Sequence, residues 1–456
     1  MKLYGEINRV FMIGIGGSGM SGIAEILHNI GYKVRGSDIN TESEIVQYLR
    51  KVGIEILEGH RKENIKDEQV VVYSSAISDN NPELVEAKRR GILVLRRAEM
   101  LSELMRLKFG IAVSGSHGKT TTTSMLGQIL EVSKFQPTVV VGGIVKNFGT
   151  SAKVGKGNLM VVEADESDGT FLKFSPVVSI ITNIDREHLD HYGSFSRLKE
   201  AFIKFANSVP FYGISVLSAD DKISKGIVKN IKRIVKTFGF SKDSDVRGEI
   251  LNKEASSFKV FYNEEEHGTI NMKVEGKHNV KNALAAITAA YYLKIPFSTI
   301  KKALEGFEGV GRRFDVKYED NTITVVEDYG HHPTEIKATL EVAKNRKKKR
   351  LIVVFQPHRF TRTRDLLKTF PKAFKNADLI ILTEIYPAGE KPIKGVNSRV
   401  LYDEFKTQGF KNIIYIKKMD AIIDKLIEVK DRGDLVIFQG AGNIRNIIPE
   451  FIRRVK

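Results

Sequence analysis

Short apolar runs of three to five residues alternate with longer amphipathic stretches from one end of the chain to the other. The runs are rich in Val, Ile and Leu, and the segments between them are long enough for helices. This pattern is typical of parallel strands joined by crossover helices. It predicts an α/β fold with parallel sheets covered on both faces. The clearest predicted strands are Val10–Ile13, Val70–Tyr73, Ile111–Val113, Leu159–Val162, Leu351–Phe355, Leu379–Leu382 and Leu435–Phe438.

The organisation of the chain follows from where this pattern restarts. With 456 residues the chain is too long for one ordinary hydrophobic core. A Gly-rich turn follows the first strand, a second Gly-rich turn follows the strand that begins near Ile111, and another set of strands begins after Gly311. We therefore predict three domains, at residues 1–107, 108–310 and 311–456.

Composition narrows the classes of protein. No cysteine is present, which excludes disulfides, thiolate catalysis and Cys-bound zinc. No apolar run approaches the roughly 18 residues that cross a bilayer, and glycines interrupt the apolar N-terminal stretch, so it reads as a first strand rather than a signal peptide. We expect a cytoplasmic protein without a membrane partner.

The net charge of +17 attracts anions of any kind. The densest basic run, residues 344–350, directly precedes a predicted strand, as expected for a solvated helix end where cations complement the carbonyl terminus. No nucleic-acid-binding signature with interleaved aromatic residues accompanies it. We expect anionic small-molecule substrates and no nucleic acid.

The first Gly-rich turn, residues 14–19, fits the pattern G-x-G-x-x-G. It follows a strand and precedes a predicted helix over Met20–Leu27, and Asp38 lies about 20 residues further on. Such glycines let the backbone approach a pyrophosphate at a helix N-terminus. The turn predicts a diphosphate ligand, which a nicotinamide dinucleotide and a UDP-sugar both carry. A tight turn without any ligand is the structural alternative.

The second turn, residues 115–120, again lies between a strand and a predicted helix. It is a shortened P-loop, with two residues between its glycines where the usual pattern has four. Backbone N–H groups can cradle phosphates, Lys119 can reach the β- and γ-phosphates, and the Thr120 hydroxyl can bind Mg²⁺. These parts predict ATP binding. The four threonines of residues 120–123 are poor helix formers, and we expect them outside the core.

Acidic segments follow two of the strands after the P-loop. Residues 163–168 contain four carboxylates, and residues 182–191 mix histidines with carboxylates. A carboxylate at the end of the strand beside a P-loop is where Mg²⁺ is usually held. These segments predict one metal position and favour a second, although a solvated acidic loop is the alternative for residues 163–168.

Taken together, these motifs resemble the Mur ligases of peptidoglycan synthesis. The resemblance runs in order along the whole chain. It rests on residues 115–121, 163–168, 187–190, 276–283, 311–315, 327–333 and 356–364, together with the N-terminal turn. It implies an N-terminal Rossmann-like domain for the UDP-sugar, a central ATPase domain and a C-terminal Rossmann-like domain for the amino acid. It also implies an ATP-dependent ligase that joins the carboxylate of UDP-N-acetylmuramate to L-alanine through an acyl phosphate.

The resemblance further implies roles for individual residues. The residues implied for ATP are Gly115, Ser116, His117, Gly118, Lys119, Thr120, Thr121, Asn279, Asn282, Arg313 (or its neighbour Arg312) and Asp328. Those implied for the UDP-sugar are Gly16, Gly17, Ser18, Gly19, Met20, Ser37, Asp38, Ser74, Ser75 and Ala76. Those implied for the amino acid are Tyr329, His331, His358, Arg359 and Arg362.

For the metals, Thr120 and Glu163 are implied at a first Mg²⁺ and His188 at a second, with Mn²⁺ able to replace Mg²⁺. The catalytic residues implied are Lys119, His188, Arg313 and Asp328.

Three other functions stay open at this point. A sister ligase attaches a tripeptide to the same UDP-muramic acid, and only the amine site distinguishes the two; the arginine-rich residues 356–364 favour a single amino acid. The first Gly-rich turn alone would fit a nicotinamide-dependent dehydrogenase, which has no use for a P-loop. A P-loop switch protein without chemistry would not need the histidines and arginines of the third domain.

Overall fold

A computed structural model describes residues 7–74, 76–347 and 349–456. Ser75, one of the residues expected at the UDP-sugar site, lies outside the described residues. The chain forms two compact units. The first comprises the chain up to residue 249 with residues 258–273 and 279–309, and the second comprises residues 250–257, 274–278 and 310–456. The first unit contains two sheets and the second contains one.

The first sheet has five parallel strands in the order β3-β2-β1-β4-β5. Its strands are β1 (Arg9–Ile13), β2 (Lys33–Asp38), β3 (Glu55–Glu58), β4 (Val70–Tyr73) and β5 (Leu93–Arg96). Its helices are α1 (Ser18–Asn29), α2 (Glu44–Val52), α3 (Pro82–Arg89) and α4 (Arg97–Arg106), with a short 3-10 helix at Lys62–Asn64. The first Gly-rich turn therefore follows the central strand, at the carboxyl edge of the sheet where ligands of such folds bind.

The second sheet has ten strands in the order β15-β14-β13-β12-β11-β10-β6-β9-β7-β8. They are β6 (Phe109–Ser114), β7 (Thr138–Val145), β8 (Thr150–Lys153), β9 (Leu159–Glu163), β10 (Val178–Ile181), β11 (Ile214–Ser218), β12 (Ile234–Gly239), β13 (Val246–Ile250), β14 (Ser257–Tyr262) and β15 (Glu265–Asn271). The helices are α5 (Lys119–Val132), α6 (Leu189–Tyr192), α7 (Phe195–Asn207), α8 (Lys222–Ile227), α9 (Lys277–Tyr292) and α10 (Phe297–Glu305), with 3-10 turns at Thr170–Lys173 and Val228–Asn230. Strand β6 lies between β9 and β10, so the segments that follow these three strands meet at one edge.

The third sheet has six strands in the order β16-β17-β21-β18-β19-β20, parallel except for β16. They are β16 (Asp315–Glu319), β17 (Ile323–Asp328), β18 (Leu351–Phe355), β19 (Leu379–Leu382), β20 (Ile413–Tyr415) and β21 (Asp434–Gln439). The helices are α11 (Pro333–Arg346), α12 (Phe360–Asp365), α13 (Phe370–Ala373), α14 (Ser398–Thr407), α15 (Met419–Val429) and α16 (Ile448–Val455), with a 3-10 turn at Ile444–Ile447.

The α/β prediction is confirmed, and each of the seven predicted runs forms a strand. The structure of β18 explains why its sequence is apolar at every position. Val353 and Phe355 pack into one hydrophobic cluster while Ile352 and Val354 pack into another on the opposite face. Both faces are buried, so no polar residue alternates with the apolar ones. No described helix is long and apolar enough to cross a membrane.

The first two sheets share one hydrophobic cluster. Val10 and Leu104 from the first part of the chain belong to the same cluster as Ala112, Phe171 and other residues of the second sheet. The predicted boundaries at residues 107 and 310 both fall between sheets, and they remain predictions.

The threonines of the P-loop helix depart from expectation. Thr122 and Thr123 are fully buried in α5, so the prediction that they lie outside the core is wrong. Helix propensity is a weak preference that tertiary packing overrides. The Thr123 hydroxyl donates to the carbonyl of Lys119 at 2.9 Å, which satisfies its polar atom inside the helix.

Candidate active site

The shortened P-loop links β6 to α5, as the sequence predicts. Gly115 and Gly118 have φ angles of +125° and +84°, which L-residues rarely adopt. A Cβ atom on Gly115 would lie 2.3 Å from the Thr182 hydroxyl, and one on Gly118 would lie 2.3 Å from the Asn282 side-chain oxygen. Both glycines are therefore required by backbone conformation and by close neighbours. Asn282 lies against the P-loop, and its amide donates to the Asn279 oxygen at 3.5 Å.

Lys119 folds back over this loop. Its Nζ donates to the carbonyl oxygens of Gly115 and Ser116 at 2.7 and 3.2 Å and pairs with the buried Glu166 carboxylate at 2.9 Å. Burial disfavours the ammonium form, but the carboxylates of Glu166, Asp165 and Glu163 outweigh it and raise the pKa of Lys119 above its usual value. The lysine is held as a cation at the N-terminus of α5, where an anionic phosphate would be favoured.

The segment that follows β10, residues 182–185, forms hydrogen bonds with the P-loop. The Asn183 side chain accepts the His117 N–H at 3.0 Å and donates to the His117 carbonyl at 2.9 Å. The Asn183 carbonyl also accepts the Ser116 N–H at 3.0 Å, and the Thr182 hydroxyl donates to the His117 carbonyl at 2.6 Å. The Ser116 hydroxyl oxygen in turn accepts the N–H of Asp185 at 2.8 Å. The predicted phosphate-binding loop is thus held by hydrogen bonds from the segment after β10.

We expect Asn183→Ala to weaken nucleotide binding by about tenfold or more. The change removes two hydrogen bonds, each worth about 1 kcal/mol, from the backbone of the loop. The measurement is calorimetric titration of the variant with ADP. Asn207→Ala is the matched control, because Asn207 also makes side-chain-to-backbone hydrogen bonds but on α7. Equal ADP affinity in both variants would contradict this role of Asn183.

The predicted metal residues meet at the carboxyl edge of the second sheet. The Thr120 hydroxyl donates to Glu163 Oε1 at 2.9 Å, and the N–H of Gly142 donates to Glu163 Oε2 at 2.6 Å. Hydroxyl and carboxylate oxygens are the ligands that Mg²⁺ prefers, so this pair fits the expected ion.

A second group of ligand atoms lies in the same unit. Atoms of Glu166, Glu187 and His188 all lie within 4.8 Å of one another. His188 has a φ of +57°, a left-handed conformation that is uncommon for a non-glycine residue and that places it just before α6. His188 is predicted from the sequence, and the carboxylates of Glu166 and Glu187 lie beside it. The set of an imidazole with two carboxylates is suited to a divalent cation.

The first Gly-rich turn is closed by β2. The N–H groups of Gly14 and Ile15 donate to the Ser37 carbonyl at 2.9 and 3.1 Å, and the Gly16 N–H donates to the Asp38 carboxylate at 2.8 Å. The Ser37 hydroxyl is fully buried and donates to Glu83 at 2.7 Å. Ser37 therefore reaches the turn through its backbone, while Asp38 places a negative charge there.

The other residues predicted at the UDP-sugar site differ in whether their side chains or only their backbones lie near the turn. The Met20 side chain is buried in the core, so only its backbone belongs to the turn. The Ser74 hydroxyl oxygen accepts the Ala76 N–H at 3.2 Å, in the loop after β4. The turn residues Gly17, Ser18 and Gly19 lie at the start of α1, with Ser18 as its first residue.

Arg97, which sequence analysis did not select, lies against the turn. A Cβ atom on Gly19 would be 2.1 Å from Arg97 Nη1, so glycine leaves room for the guanidinium at the N-terminus of α1. Among the residues that the structure describes, no carboxylate pairs with this guanidinium. The negative charge of Asp38 would repel an anionic ligand at this turn. The Arg97 guanidinium supplies a compensating positive charge near the N-terminus of α1, so an anion can still be favoured there.

In the second unit, Asp328 is the buried centre of a hydrogen-bond network. Its carboxylate accepts the N–H groups of Phe314 and Gly330 at 2.8 Å each and the side-chain amide of Gln439 at 2.6 Å. Burial raises the pKa of Asp328, against the opposing charge of Arg313. These contacts hold the strained segment before β16, where Phe314 has a φ of +41°. Asp328 is therefore hydrogen-bonded to the backbone of the residue that follows Arg313.

Arg313 itself forms an ion pair with Glu335 at 3.2 Å and lies with its guanidinium carbon 5.3 Å from the Tyr329 ring centroid. Arg312 lies closer to the same ring, at 4.6 Å, and pairs with Glu327 at 2.8 Å. The two arginines thus lie on one aromatic ring, and each forms an ion pair with a carboxylate.

The residues expected at the amino-acid site form a row of rings. Tyr329 contacts His331 with centroids 5.5 Å apart, and His331 contacts His358 at 5.3 Å. Arg362 donates to His358 Nδ1 at 3.2 Å, and Arg359 directly precedes α12 as its N-cap residue. The structure therefore brings all five predicted residues together at the carboxyl ends of β17 and β18.

Both histidines in the row are neutral at physiological pH. Burial, followed by the nearby charges of Arg362 and Arg359, lowers the pKa of His358 to about 4. Burial also places the pKa of His331 well below its usual value, despite the opposing carboxylate of Glu335. A neutral imidazole can accept a hydrogen bond from an ammonium group, which a protonated one cannot.

Three family models match the chain in sequence order. They are the Mur ligase family, catalytic domain, at residues 9–109; the Mur ligase middle domain at residues 113–290; and the Mur ligase, glutamate ligase domain, at residues 312–442. Together they account for most of the chain.

Individual proteins extend the comparison. The chain is 48% identical to a UDP-N-acetylmuramate–L-alanine ligase of Geotalea uraniireducens over 100% of this chain and 99% of the relative. It is 46% identical to the enzyme of that name from a Sulfurihydrogenibium species over 97% of each chain.

Two solved structures resemble this one. The UDP-N-acetylmuramate-alanine ligase of Thermotoga maritima has a TM-score of 0.80 and 33% identity, covering 98% of this chain and 99% of that one. A murein peptide ligase of Psychrobacter arcticus has a TM-score of 0.71 and 24% identity, covering 98% of each chain, which shows a shared fold.

Proposed function

The chain belongs to the Mur ligase family, and on that premise we propose that it joins the carboxylate of UDP-N-acetylmuramate to L-alanine, converting ATP to ADP and phosphate, in peptidoglycan precursor synthesis. The observation that carries the proposal is the end-to-end similarity, at 48% identity, to an enzyme of that name. The P-loop of the first unit and the row of rings in the second supply the chemistry that such a reaction needs.

In the first step, the muramoyl carboxylate attacks the γ-phosphate and forms an acyl phosphate. Two anions must approach each other, so the site needs fixed positive charge. Lys119 is already a cation beside the loop and is paired with the Glu166 carboxylate. A phosphate group could take the place of that carboxylate as its partner. We propose that Lys119 moves from Glu166 to the β- and γ-phosphates when nucleotide binds, while Asn183 keeps the loop in shape.

We propose that Thr120 and Glu163 hold a first Mg²⁺, and that His188 with Glu166 and Glu187 holds a second. Either position would also accept Mn²⁺, which has similar oxygen and nitrogen preferences. When bound, the ions neutralise charge on the phosphates and on the attacking carboxylate. Thr120 and Glu163 lie 2.9 Å apart between the end of β9 and the start of α5, so the first set needs little rearrangement.

In the second step, the amine of the amino acid attacks the acyl phosphate and displaces phosphate through a tetrahedral intermediate. The amine must lose its proton to react, and the neutral His331 can accept a hydrogen bond from it at Nε2, because its Nδ1 donates to the Tyr329 carbonyl at 3.2 Å. The Nδ1 of His358 already accepts from Arg362, so its Nε2 carries the proton. Arg359 and Arg362 suit the α-carboxylate, because a guanidinium binds a carboxylate through two parallel hydrogen bonds. We place this reaction in the cytoplasm, where ATP and UDP-sugars are available.

We propose that Arg97 binds the diphosphate of the UDP-sugar, and we expect Arg97→Gln to weaken binding of that substrate about tenfold or more. The guanidinium is the cation at the first Gly-rich turn, and a charge-assisted contact to phosphate is worth about 1.5 kcal/mol or more. Calorimetric titration with UDP-N-acetylmuramate measures the effect. Arg96→Gln is the matched control, since the neighbouring Arg96 donates instead to the Tyr73 hydroxyl at 3.1 Å. Equal losses in the two variants would remove Arg97 from the site.

The proposed reaction is tested by phosphate release from Mg·ATP in the presence of UDP-N-acetylmuramate. Separate assays contain L-alanine, glycine, L-serine, the tripeptide of the sister ligase, or no amine. We expect release to rise sharply with L-alanine and the UDP-sugar to gain the mass of one alanyl amide. Release only with the tripeptide would reassign the chain to the sister activity, and release independent of any amine would leave the ligase proposal without support.

A further inference from the structure

The loop that follows β19 packs against the predicted amino-acid site, although none of its residues was selected from sequence. Residues 383–390 continue the pairing of β18 and β19 beyond the ends of the strands. The Tyr386 N–H donates to the Pro357 carbonyl at 2.8 Å, and the Arg359 N–H donates to the Tyr386 carbonyl at 2.9 Å. These two bonds form an isolated parallel bridge between His358 and Tyr386. The backbone of Tyr386 is therefore fixed relative to two residues of the site.

The other end of the loop is fixed by Glu390. Its carboxylate accepts the Thr361 N–H at 3.1 Å and the Thr361 hydroxyl at 2.6 Å, in the first turn of α12. The same carboxylate lies 4.0 Å from Arg359 Nε. Glu390 thus ties the loop to the helix that Arg359 precedes, and it places a negative charge close to that arginine without reaching hydrogen-bond distance.

The Tyr386 ring has two close neighbours. It is stacked on the His358 imidazole, with centroids 5.7 Å apart and planes only 14° from parallel. A Cβ atom on Gly442 would lie 2.7 Å from Tyr386 Cγ, so the absence of a side chain at Gly442 makes room for the ring. Tyr386 therefore extends the row of Tyr329, His331 and His358 by a fourth ring whose position is set by its neighbours.

Arg359 has an unsatisfied donor beside this ring. Its Nε is buried and has no hydrogen-bond acceptor in the described part of the chain, although the side chain as a whole is 39% exposed. An unsatisfied buried donor is costly, and a rotation of the guanidinium would offer it to the α-carboxylate of an amino acid. Because Arg359 is joined backbone to backbone with Tyr386, and Tyr386 is stacked on His358, the three residues form one part of the predicted amino-acid site.

We propose that Tyr386 is a specificity-determining residue of the amino-acid site: its ring closes the space beside His358, so that the methyl group of L-alanine fits and larger side chains do not. Glu390 acts through the loop as a positioning residue, because it holds Tyr386 and α12 together. The inference rests on the function proposed above, and it addresses the feature that separates a ligase for one small amino acid from a ligase for a peptide.

The test compares full-length wild type with Tyr386→Ala, Tyr386→Phe and Tyr386→Trp in the phosphate-release assay, with glycine, L-alanine and L-valine as amines. In Tyr386→Ala we expect the ratio of kcat/KM for L-alanine over L-valine to fall about tenfold or more, since one or two methyl groups in a shaped pocket are worth that much. Tyr386→Phe keeps the ring and should keep the wild-type ratio. Tyr386→Trp enlarges the ring and should lower kcat/KM for L-alanine relative to glycine.

Two controls separate this role from a general loss of structure. The KM for ATP should not change in any Tyr386 variant, and Tyr402→Ala, which removes a tyrosine of α14 in the same unit, should leave the amine ratios unchanged. Active wild type with unaltered ratios in both Tyr386→Ala and Tyr386→Trp overturns the assignment of Tyr386. Wild type that releases no phosphate in response to L-alanine overturns the proposed function itself, so the two failures are distinguishable.

Discussion

Replacing Lys119 with alanine is expected to lower kcat by about 10³-fold or more while leaving affinity for the UDP-sugar unchanged. The ammonium is the fixed cation at the P-loop, and loss of one preorganised charge at a phosphoryl-transfer site has effects of this size. The residues proposed for the UDP-sugar lie at the first sheet, whereas Lys119 begins α5 beside the second. Phosphate release measures turnover, and calorimetric titration with UDP-N-acetylmuramate measures the other site.

Lys229→Ala provides the comparison, because Lys229 is an exposed lysine in a short turn of the same unit and should behave as wild type in both assays. Substantial turnover by the Lys119 variant would mean that the shortened loop does not act as a P-loop. Loss of UDP-sugar binding in a folded Lys119 variant would instead contradict the assignment of the two substrates to separate sheets.

Glu163→Gln is expected to lower kcat by about 10²- to 10³-fold and to raise the Mg²⁺ concentration needed for half-maximal rate. The amide has the shape of the carboxylate and can still accept the Thr120 hydroxyl, which now donates at 2.9 Å, although its NH2 cannot accept the Gly142 N–H. It also lacks the negative charge that binds a divalent cation, and the ion's contribution at such sites amounts to several kcal/mol. Phosphate release across a Mg²⁺ titration measures both parameters.

The control for this charge change is Glu131→Gln, at the far end of α5, where Glu131 pairs with Lys153 at 2.8 Å. It removes the same charge from the same unit away from the P-loop, so the Mg²⁺ dependence should be that of wild type. An unchanged Mg²⁺ dependence in Glu163→Gln would show that the ion is held by other residues.

Sequence alone was sufficient for the elements whose signals are local. A run such as Leu351–Phe355 is apolar at every position because both of its faces are buried, and the strand could be placed to the residue. The two Gly-rich turns were also predicted from the sequence. In the second turn, Gly115 and Gly118 have positive φ angles that favour glycine, so the residue type itself indicates the backbone conformation. The histidines and arginines of the third sheet were placed together by the resemblance to the Mur ligases, and they do lie together, after β17 and β18 on either side of β21.

Residues that act through tertiary contacts gave no such signal. Asn183 belongs to a segment that was selected for its histidines, and nothing in its spacing reveals that its amide pairs with the backbone of His117. Arg97 is one of many basic residues until it is found against Gly19. Tyr386 lies in a loop whose register against β18 depends on a bridge formed beyond the ends of the strands. In each case the partner is distant in sequence, and only the packed chain identifies it.

The hydrophobic cluster that the first two sheets share has a consequence for how such a chain can be modified by recombination. A cut near residue 107 would divide apolar side chains that pack against one another, including Leu104 and Ala112, and would leave both fragments with an unmatched surface. The third sheet instead carries two clusters of its own, one on each face. Exchange of that segment would transfer an intact core together with the loops that carry the predicted amino-acid site.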